Sequence, residues 1–340
     1  MRVQVILEPA VAEVTVAGLA VAAHLTTVIA RAVPESADGI LVIDGRFAGV
    51  SEGAITQLSG LGAPARLIAG DSLVAELRTA RDAPAPSDAP AIHLAADAVV
   101  PLTDPGALGR LEAKVRAEVV AGWIARGVHF VDPARVVVDQ TVRMGAGCVV
   151  WPNVVLRGDT SLGERVEVQS GVWLEDTTVG DRTLIKPHSV CNGATIGPEC
   201  AVGPMAHLRP GATLSRDVKV GNFVEVKKSV LHEGVRASHL TYLGDAEVGA
   251  GANIGAGTIT CNYDGFRKHR TQIGAGAFIG SNTSLVAPVK VGDGAVVGAS
   301  SAIARNIDAG ALAVERAEVR VLQGKGAALM QRNARLAKKK

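Results

Sequence analysis

The stretch IGPECAVGPMAHLRPGATLSRDVKVGNFVEV (Ile196–Val226) sets an aliphatic residue at every sixth position: Ile196, Val202, Leu208, Leu214, Val220 and Val226. The same beat runs backwards through Ile185, Val179, Leu174, Val168, Leu162, Leu156 and Val150 to Met144. It runs forwards through Leu231, Ala237, Leu243 and Val248, with two one-residue contractions, to Ile254. After a break it returns from Ile273 to Ile303, and Gly often follows the aliphatic residue, as at Gly197, Gly203 and Gly221. A period-two strand cannot hold a six-residue beat across turns, and a helix of period 3.6 does not tolerate glycine at this density. The hexapeptide repeat of a parallel β-helix meets both conditions. Three hexads make one triangular coil of about 18 residues, coils stack at about the 4.8 Å inter-strand spacing, and about nine coils share one aliphatic core.

Composition agrees. Of 340 residues 48% are hydrophobic but only 3% aromatic, which suits a prism too narrow for rings. Thirty-five basic residues against 33 acidic ones leave a charge of +2, so no nucleic-acid footprint is expected. Lys338-Lys339-Lys340 reads as a solvated tail. The four cysteines (Cys148, Cys191, Cys200, Cys261) show no CxxC spacing, and reduced thiols in a cytoplasmic protein are expected. The apolar run Val14–Ala23 is short of the ~20 residues a membrane span needs. Glu8 and Glu13 argue against a signal peptide, so no membrane partner is expected.

Four segments follow from the pattern. Residues 1–104 read as a small α/β domain, with strands at Val3–Leu7 and Ile40–Asp44, a helix at Leu19–Ala32 and a Pro/Ala loop at Asp82–Pro90. Residues 105–131 hold a linking helix, Leu108–Gly127, with Leu111, Val115, Val119 and Trp123 on one face. Residues 132–312 are the β-helix, and residues 313–340 a tail with a short helix at Gly326–Ala337. Inside the β-helix, Cys261–Thr271 (CNYDGFRKHRT) is too polar for a coil and is expected to be an extruded loop.

Arg209 and Lys227 take the corner position after an aliphatic residue and lie 18 residues apart, so they should stack one coil apart. Two fixed cations about 5 Å apart suit a phosphate, although a pair of solvated surface cations has the same spacing. One coil later comes SHLTY, with His239 among hydrogen-bonding residues, followed by Asn253 and the loop with Asn262, Tyr263 and Lys268. A histidine beside a cationic site reads as a general base, against the alternative of a structural histidine. Glu225, on the preceding coil, is expected to orient its ring. His188 and His207 are 19 residues apart with no third histidine to match, and Zn²⁺ needs at least three protein ligands, so no metal site is expected.

The strings RPGATLSRDVKVGNFVEVKKS (Arg209–Ser229), HLTYLGDAEVGAGANIGAGTITCNYDG (His239–Gly265), GSNTSLVAPVKVGDGAVVGASS (Gly280–Ser301) and ALAVER (Ala311–Arg316) closely resemble one family. It is the acetyltransferase half of the bacterial bifunctional N-acetylglucosamine-1-phosphate uridylyltransferase/glucosamine-1-phosphate N-acetyltransferases, and the resemblance runs from about Leu111 to the C-terminus. It implies a left-handed parallel β-helix that works as a homotrimer, with sites between neighbouring subunits, moving acetyl from acetyl-CoA to the amine of glucosamine 1-phosphate. By the same resemblance His239 is the general base. Arg209, Lys227, Tyr242, Asn253 and Lys268 bind the sugar phosphate, and Ala256, Asn262, Tyr263, Ser281, Ala299 and Arg316 follow the acetyl-CoA path. Asn262 or backbone N–H groups are candidate donors to the developing oxyanion.

The N-terminal segment departs from the family. Where a Rossmann-like nucleotidyltransferase opens with a Gly-rich phosphate loop, this chain reads VILEPAVAEVTVAG (Val5–Gly18), with Glu8 where phosphates would approach. A truncated, degenerate Rossmann-like domain is therefore expected, and Mg²⁺ would enter only with a surviving uridylyl transfer. The competing readings are an intact bifunctional enzyme, a non-catalytic trimeric scaffold, and an acyltransferase for another amino sugar.

Overall fold

The computed structural model describes strands within the first 101 residues, a turn at residues 87–89, and residues 107–337 apart from 318 and 320. In the first hundred residues, Gln4–Glu8, Ile40–Asp44, Ser72–Arg78, Ala65–Ala69 and Ala91–Leu94 pair in that order. The outer two pairings are parallel and the inner two antiparallel. Both expected strands are present, the first shifted by one residue. Leu19–Ala20 pairs antiparallel with Thr15–Val16, so the expected helix does not begin at Leu19. Its remainder, 21–32, lies outside the described residues, as does most of the expected loop at 82–90.

Helix α1 (Ala107–Ile124) leads into the prism and is followed by Gly127 at φ 88°. Val115 and Val120 are buried on it, and Val120 joins the prism core with Val119 and Trp123 packed alongside. The helix thus covers the N-terminal end of the stack. A second helix, α2 (Lys325–Ala337), buries none of its residues.

From His129 onward every strand is short, two to four residues, and pairs in parallel with the strand one coil away. Among the described residues the first face of the prism has eleven strands, the second ten and the third nine. The beat predicted from sequence is the inward column: Leu156, Leu174, Ile185 and Leu208 are fully buried. At about 1.5–3 kcal/mol for each fully buried large aliphatic, this column is the main stabilising term of the fold.

Three features were not visible in the beat. Phe130 and Val138 extend it toward α1, with Phe130 paired to Val150 and Val138 to Leu156. Cys191, not an aliphatic, fills the inward slot between Ile185 and Ile196. Each hexad also buries a second, smaller residue two positions before the inward one, such as Val154, Thr160, Thr183, Ser189, Ala212 and Ser229. The hydroxyls among them bond backbone: Thr160 donates to the carbonyl of Arg157 (2.6 Å) and Thr183 to that of Gly197 (2.9 Å). A buried hydroxyl left without such a partner costs about 1–3 kcal/mol, a cost that Thr160 and Thr183 avoid and that Thr271, in the same position before Ile273 with no partner for its hydroxyl among the described residues, does not.

The loop is extruded as expected, but its ends are shorter. Ile259–Cys261 and Thr271–Ile273 are strands of the second and third faces, which leaves 262–270 outside the coil. Register resumes unshifted beyond it, with Ile254 paired to Ile279.

Candidate active site

The second face and its two bounding edges carry most of the singled-out residues. Arg209 follows Leu208, which pairs with Val226, so Arg209 and Lys227 stand one coil apart on the edge between the second and third faces. The Arg209 N–H donates to the Val226 carbonyl at 2.8 Å. Above Lys227 in register is Gly244, then Cys261, the root of the extruded loop. A Cβ on Gly244 would run into the Tyr242 hydroxyl and approach Asn262 Nδ2 to 2.7 Å, so only glycine leaves this edge open.

Within one chain Glu225 does not orient His239. It is paired with Arg209 at 2.7 Å and raises the guanidinium above its ordinary pKa. The physical reason is register: Glu225 aligns with His207 and Tyr242 on the second face, whereas His239 lies at the corner between the first and second faces. The residue aligned with His239 is Asn222, whose Oδ1 is 2.7 Å from His239 Nδ1. Sequence reading missed Asn222, although its position 17 residues earlier, one contracted coil, was a usable signal.

Asn262 is only 5% exposed. Its amide donates to Asp245 Oδ2 at 2.6 Å and reaches the Tyr242 hydroxyl at 3.5 Å, which roots the loop on the second face. Further out, Lys268 Nζ lies 4.1 Å from the Tyr263 ring centroid and the Tyr263 hydroxyl donates to Gly265 (2.5 Å). Asp264 accepts from the Phe266 and Arg267 backbone and sits 2.6 Å from His269 Nε2. These contacts hold its carboxyl well below the usual range, His269 contributing most. Lys268 also lines a cleft of about 290 Å³ with Lys228, Asp245 and Arg270.

The corner holding His239 continues upward in register. Ala256, Ser281 and Ala299 each lie two residues beyond the paired residues Ile254, Ile279 and Val297. The ladder is closed by Asn282 N–H to Ala256 carbonyl and Ser300 N–H to Ser281 carbonyl, both 2.7 Å. At its top Arg316 Nε donates to the Ala299 carbonyl at 3.1 Å. His239 and these four residues therefore form one edge of small side chains with a cation at its end.

Asn253 lies elsewhere. It pairs with Arg236 and Phe278 on the first face, so within one chain it does not meet Lys227 or Arg209. Beside His239, the same corner exposes Met205, Phe223 and Leu240 on successive coils, 47%, 55% and 60% accessible, each at positive φ. Positive φ recurs at non-glycine corners along the β-helix, as at Arg182, His188, Asn282 and Ser300, so here it belongs to the turn of the coil, and what sets this corner apart is its exposed apolar side chains. No group of three or more metal-ligating side chains occurs among the described residues, and none of their helices is long and apolar enough to cross a membrane.

A family model described as bacterial transferase hexapeptide (six repeats) matches residues 270–305. The bifunctional protein GlmU of Thermus thermophilus is 51% identical over 217 residues, 64% of this chain and 48% of the relative. That of Pelobacter propionicus is 45% identical over 220 residues, 65% of this chain and 48% of the relative. A solved Arabidopsis UDP-N-acetylglucosamine acyltransferase aligns at 15% identity and a TM-score of 0.37, covering 61% of this chain and 72% of that one. The chain spans about half the length of the curated relatives it matches. Over its C-terminal two thirds the chain is a homologue of the bifunctional GlmU proteins, and its hexapeptide-repeat region matches their acetyltransferase half.

Proposed function

We propose that the chain is an N-acetyltransferase that moves acetyl from acetyl-CoA to the amine of glucosamine 1-phosphate. The observation that carries this reading is the single corner ladder running from His239 through Ala256, Ser281 and Ala299 to Arg316. Small residues stacked at about 4.8 Å per coil leave a groove for a long, thin co-substrate that ends at a base. Acetyl-CoA supplies the acetyl carbon as a thioester, whose C–S bond breaks as the C–N bond forms, the electron pair leaving with sulfur. His239 takes at Nε2 the proton that the amine loses, a contribution of typically ~10²–10⁴ in rate. Arg209 and Lys227 hold the phosphate, with Tyr242, Asn253 and Lys268 completing the sugar pocket and Asn262 and Tyr263 carrying the loop over the thioester.

Asn253 stands on the first face and the cations on the second, so one pocket containing all of them needs two subunits. A homotrimer of left-handed coils meets that need, and the exposed corner of Met205, Phe223 and Leu240 supplies apolar surface for its interface. In this reading residues 1–104 are a degenerate nucleotidyltransferase-like domain, 105–131 a linker, 132–312 the catalytic β-helix and 313–340 a tail. Mg²⁺ belongs only to the alternative in which uridylyl transfer survives.

A paired assay on purified protein tests this. One arm supplies glucosamine 1-phosphate and acetyl-CoA and follows free thiol. The other supplies N-acetylglucosamine 1-phosphate, UTP and Mg²⁺ and follows pyrophosphate. Thiol release without pyrophosphate is the expected result. Silence in the first arm sinks the proposal, and a monomer by light scattering removes the shared pocket.

A further inference from the structure

We propose that Asn222 is a positioning residue that fixes the tautomer of His239. The inference rests on His239 acting as the base in the acetyl transfer above, and it names what makes that base competent.

The chain takes unusual care at this contact. The strands Lys219–Asn222 and Arg236–His239 are four residues long, where the other strands of the β-helix have two or three. They carry the ladder through the corner, with Asn222 aligned to His239. Gly221 makes the approach possible: a Cβ there would collide with the Ser238 carbonyl. Asn222 bonds the corner twice, its backbone carbonyl accepting from Leu240 N–H at 2.9 Å and its side-chain oxygen facing His239 Nδ1 at 2.7 Å. Thr241 donates to the His239 carbonyl at 2.7 Å from the buried side. Phe223 and Leu240, the residues after Asn222 and His239, both take the positive φ that recurs at corners of the β-helix, so the two coils turn alike here and keep Asn222 under His239.

The chemistry follows from the partner being an amide oxygen. An oxygen that only accepts requires the proton on Nδ1, which leaves the lone pair on Nε2, the nitrogen that can face the amine. A carboxylate would fix the same tautomer but would also stabilise the imidazolium, so an amide orients the ring without adding charge. The charged and titratable side chains around the corner are engaged elsewhere. Glu225 pairs with Arg209, Arg236 with Asp217 (2.6 Å), and Tyr242 faces Asn262, while Lys219 points outward on the first face. Asn222 is the polar side chain hydrogen-bonded to the ring.

Two measurements on the full chain test this. In the first, protein labelled with ¹⁵N in its histidine rings is examined by NMR, the His239 signals being identified by their loss in His239→Gln. Wild type is expected to show the Nδ1–H tautomer at pH 8.5, and Asn222→Ala to lose it. An Nε2–H tautomer in wild type, or an unchanged ring in Asn222→Ala, overturns the proposal whatever the activity. In the second, pH–rate profiles are compared among variants of matched melting temperature. Asn222→Ala should lower kcat by about 10-fold, part of the ~10²–10⁴ a positioned base supplies, with KM for the sugar phosphate unchanged. Asn222→Asp should recover most of that rate at high pH, with the acid limb moved to higher pH. Coincident profiles for all three proteins would leave Asn222 a corner residue only. If wild type does not acetylate glucosamine 1-phosphate, the functional reading fails, and the NMR result still decides the tautomer.

Discussion

Arg209 and Glu225 meet at 2.7 Å across adjacent coils, and the pair keeps the guanidinium on the edge it shares with Lys227. The cation that would meet a phosphate is therefore held in place before any ligand arrives. Arg209→Ala should raise KM for glucosamine 1-phosphate by roughly 10- to 100-fold, the range of a lost charge-assisted hydrogen bond, with a smaller change in kcat. Initial rates with glucosamine in place of its phosphate provide the control. The variant and wild type should converge on that substrate, and an equal deficit on both would remove the phosphate assignment.

His239→Ala is expected to lower kcat by ~10²–10⁴. Acetyl-CoA affinity should persist, because the ladder from Ala256 to Arg316 is untouched. Stopped-flow or calorimetric titration separates the two effects. A variant that turns over like wild type would place the base elsewhere.

The extruded loop depends on Asp264, which gathers Phe266 N–H, Arg267 N–H and His269 around one carboxylate. Its acidity is increased by those partners, so its contribution is present above the ordinary carboxylate range and is lost only as the pH falls far into acid. At neutral pH the loop should resist trypsin after Arg267 and Lys268. Asp264→Ala should be cut several-fold faster there and show a higher KM for acetyl-CoA. Equal cleavage rates would mean that the loop is held from its Asn262 root alone.

Burial pushes the Cys191 thiol up to about 12 from an ordinary 9.0. In the folded chain Cys191 keeps a proton that the unfolded chain releases. Its contribution is therefore complete below the unfolded value and is lost as the pH rises toward about 12. Unfolding free energies from urea titrations should fall between pH 9 and 11, with Cys191 contributing up to ~1.4 kcal/mol per pH unit beside Cys200, whose thiol burial pushes up to about 11, and Cys191→Val should reduce that slope without abolishing it. In native protein at pH 8, a thiol reagent should modify Cys261, the partly exposed cysteine, and spare Cys148, Cys191 and Cys200.

How far these features could be read from sequence depended on whether they repeat. The inward column from Met144 to Ile303 was legible because a six-residue period reports the prism directly. Arg209 over Lys227 was legible because a count of 18 is one coil. Cys191 was not, because a thiol in an aliphatic slot carries no hydropathy signal strong enough to hold the beat. The partner of His239 was misread because assigning it needs the local coil length, which is 17 at that corner. Proximity in sequence favoured Glu225, and the one-residue contraction favoured Asn222. The anchoring of Asn262 by Asp245 was out of reach for a related reason: it joins a loop to a corner, and loops have no period.

Helix α1 has a consequence for how the molecule avoids its own kind. A stack of parallel strands ends in open backbone donors and acceptors over an apolar plug, the same template that lets identical segments add without limit in cross-β fibrils. Val120 and Trp123 close that template at the first coil, beside Phe130 and Val138. A prism without α1 would present a growing end, and coils built to stack on their neighbours within one chain would find them in the next. The helix therefore also acts as a terminator, and it is what keeps a self-templating architecture finite.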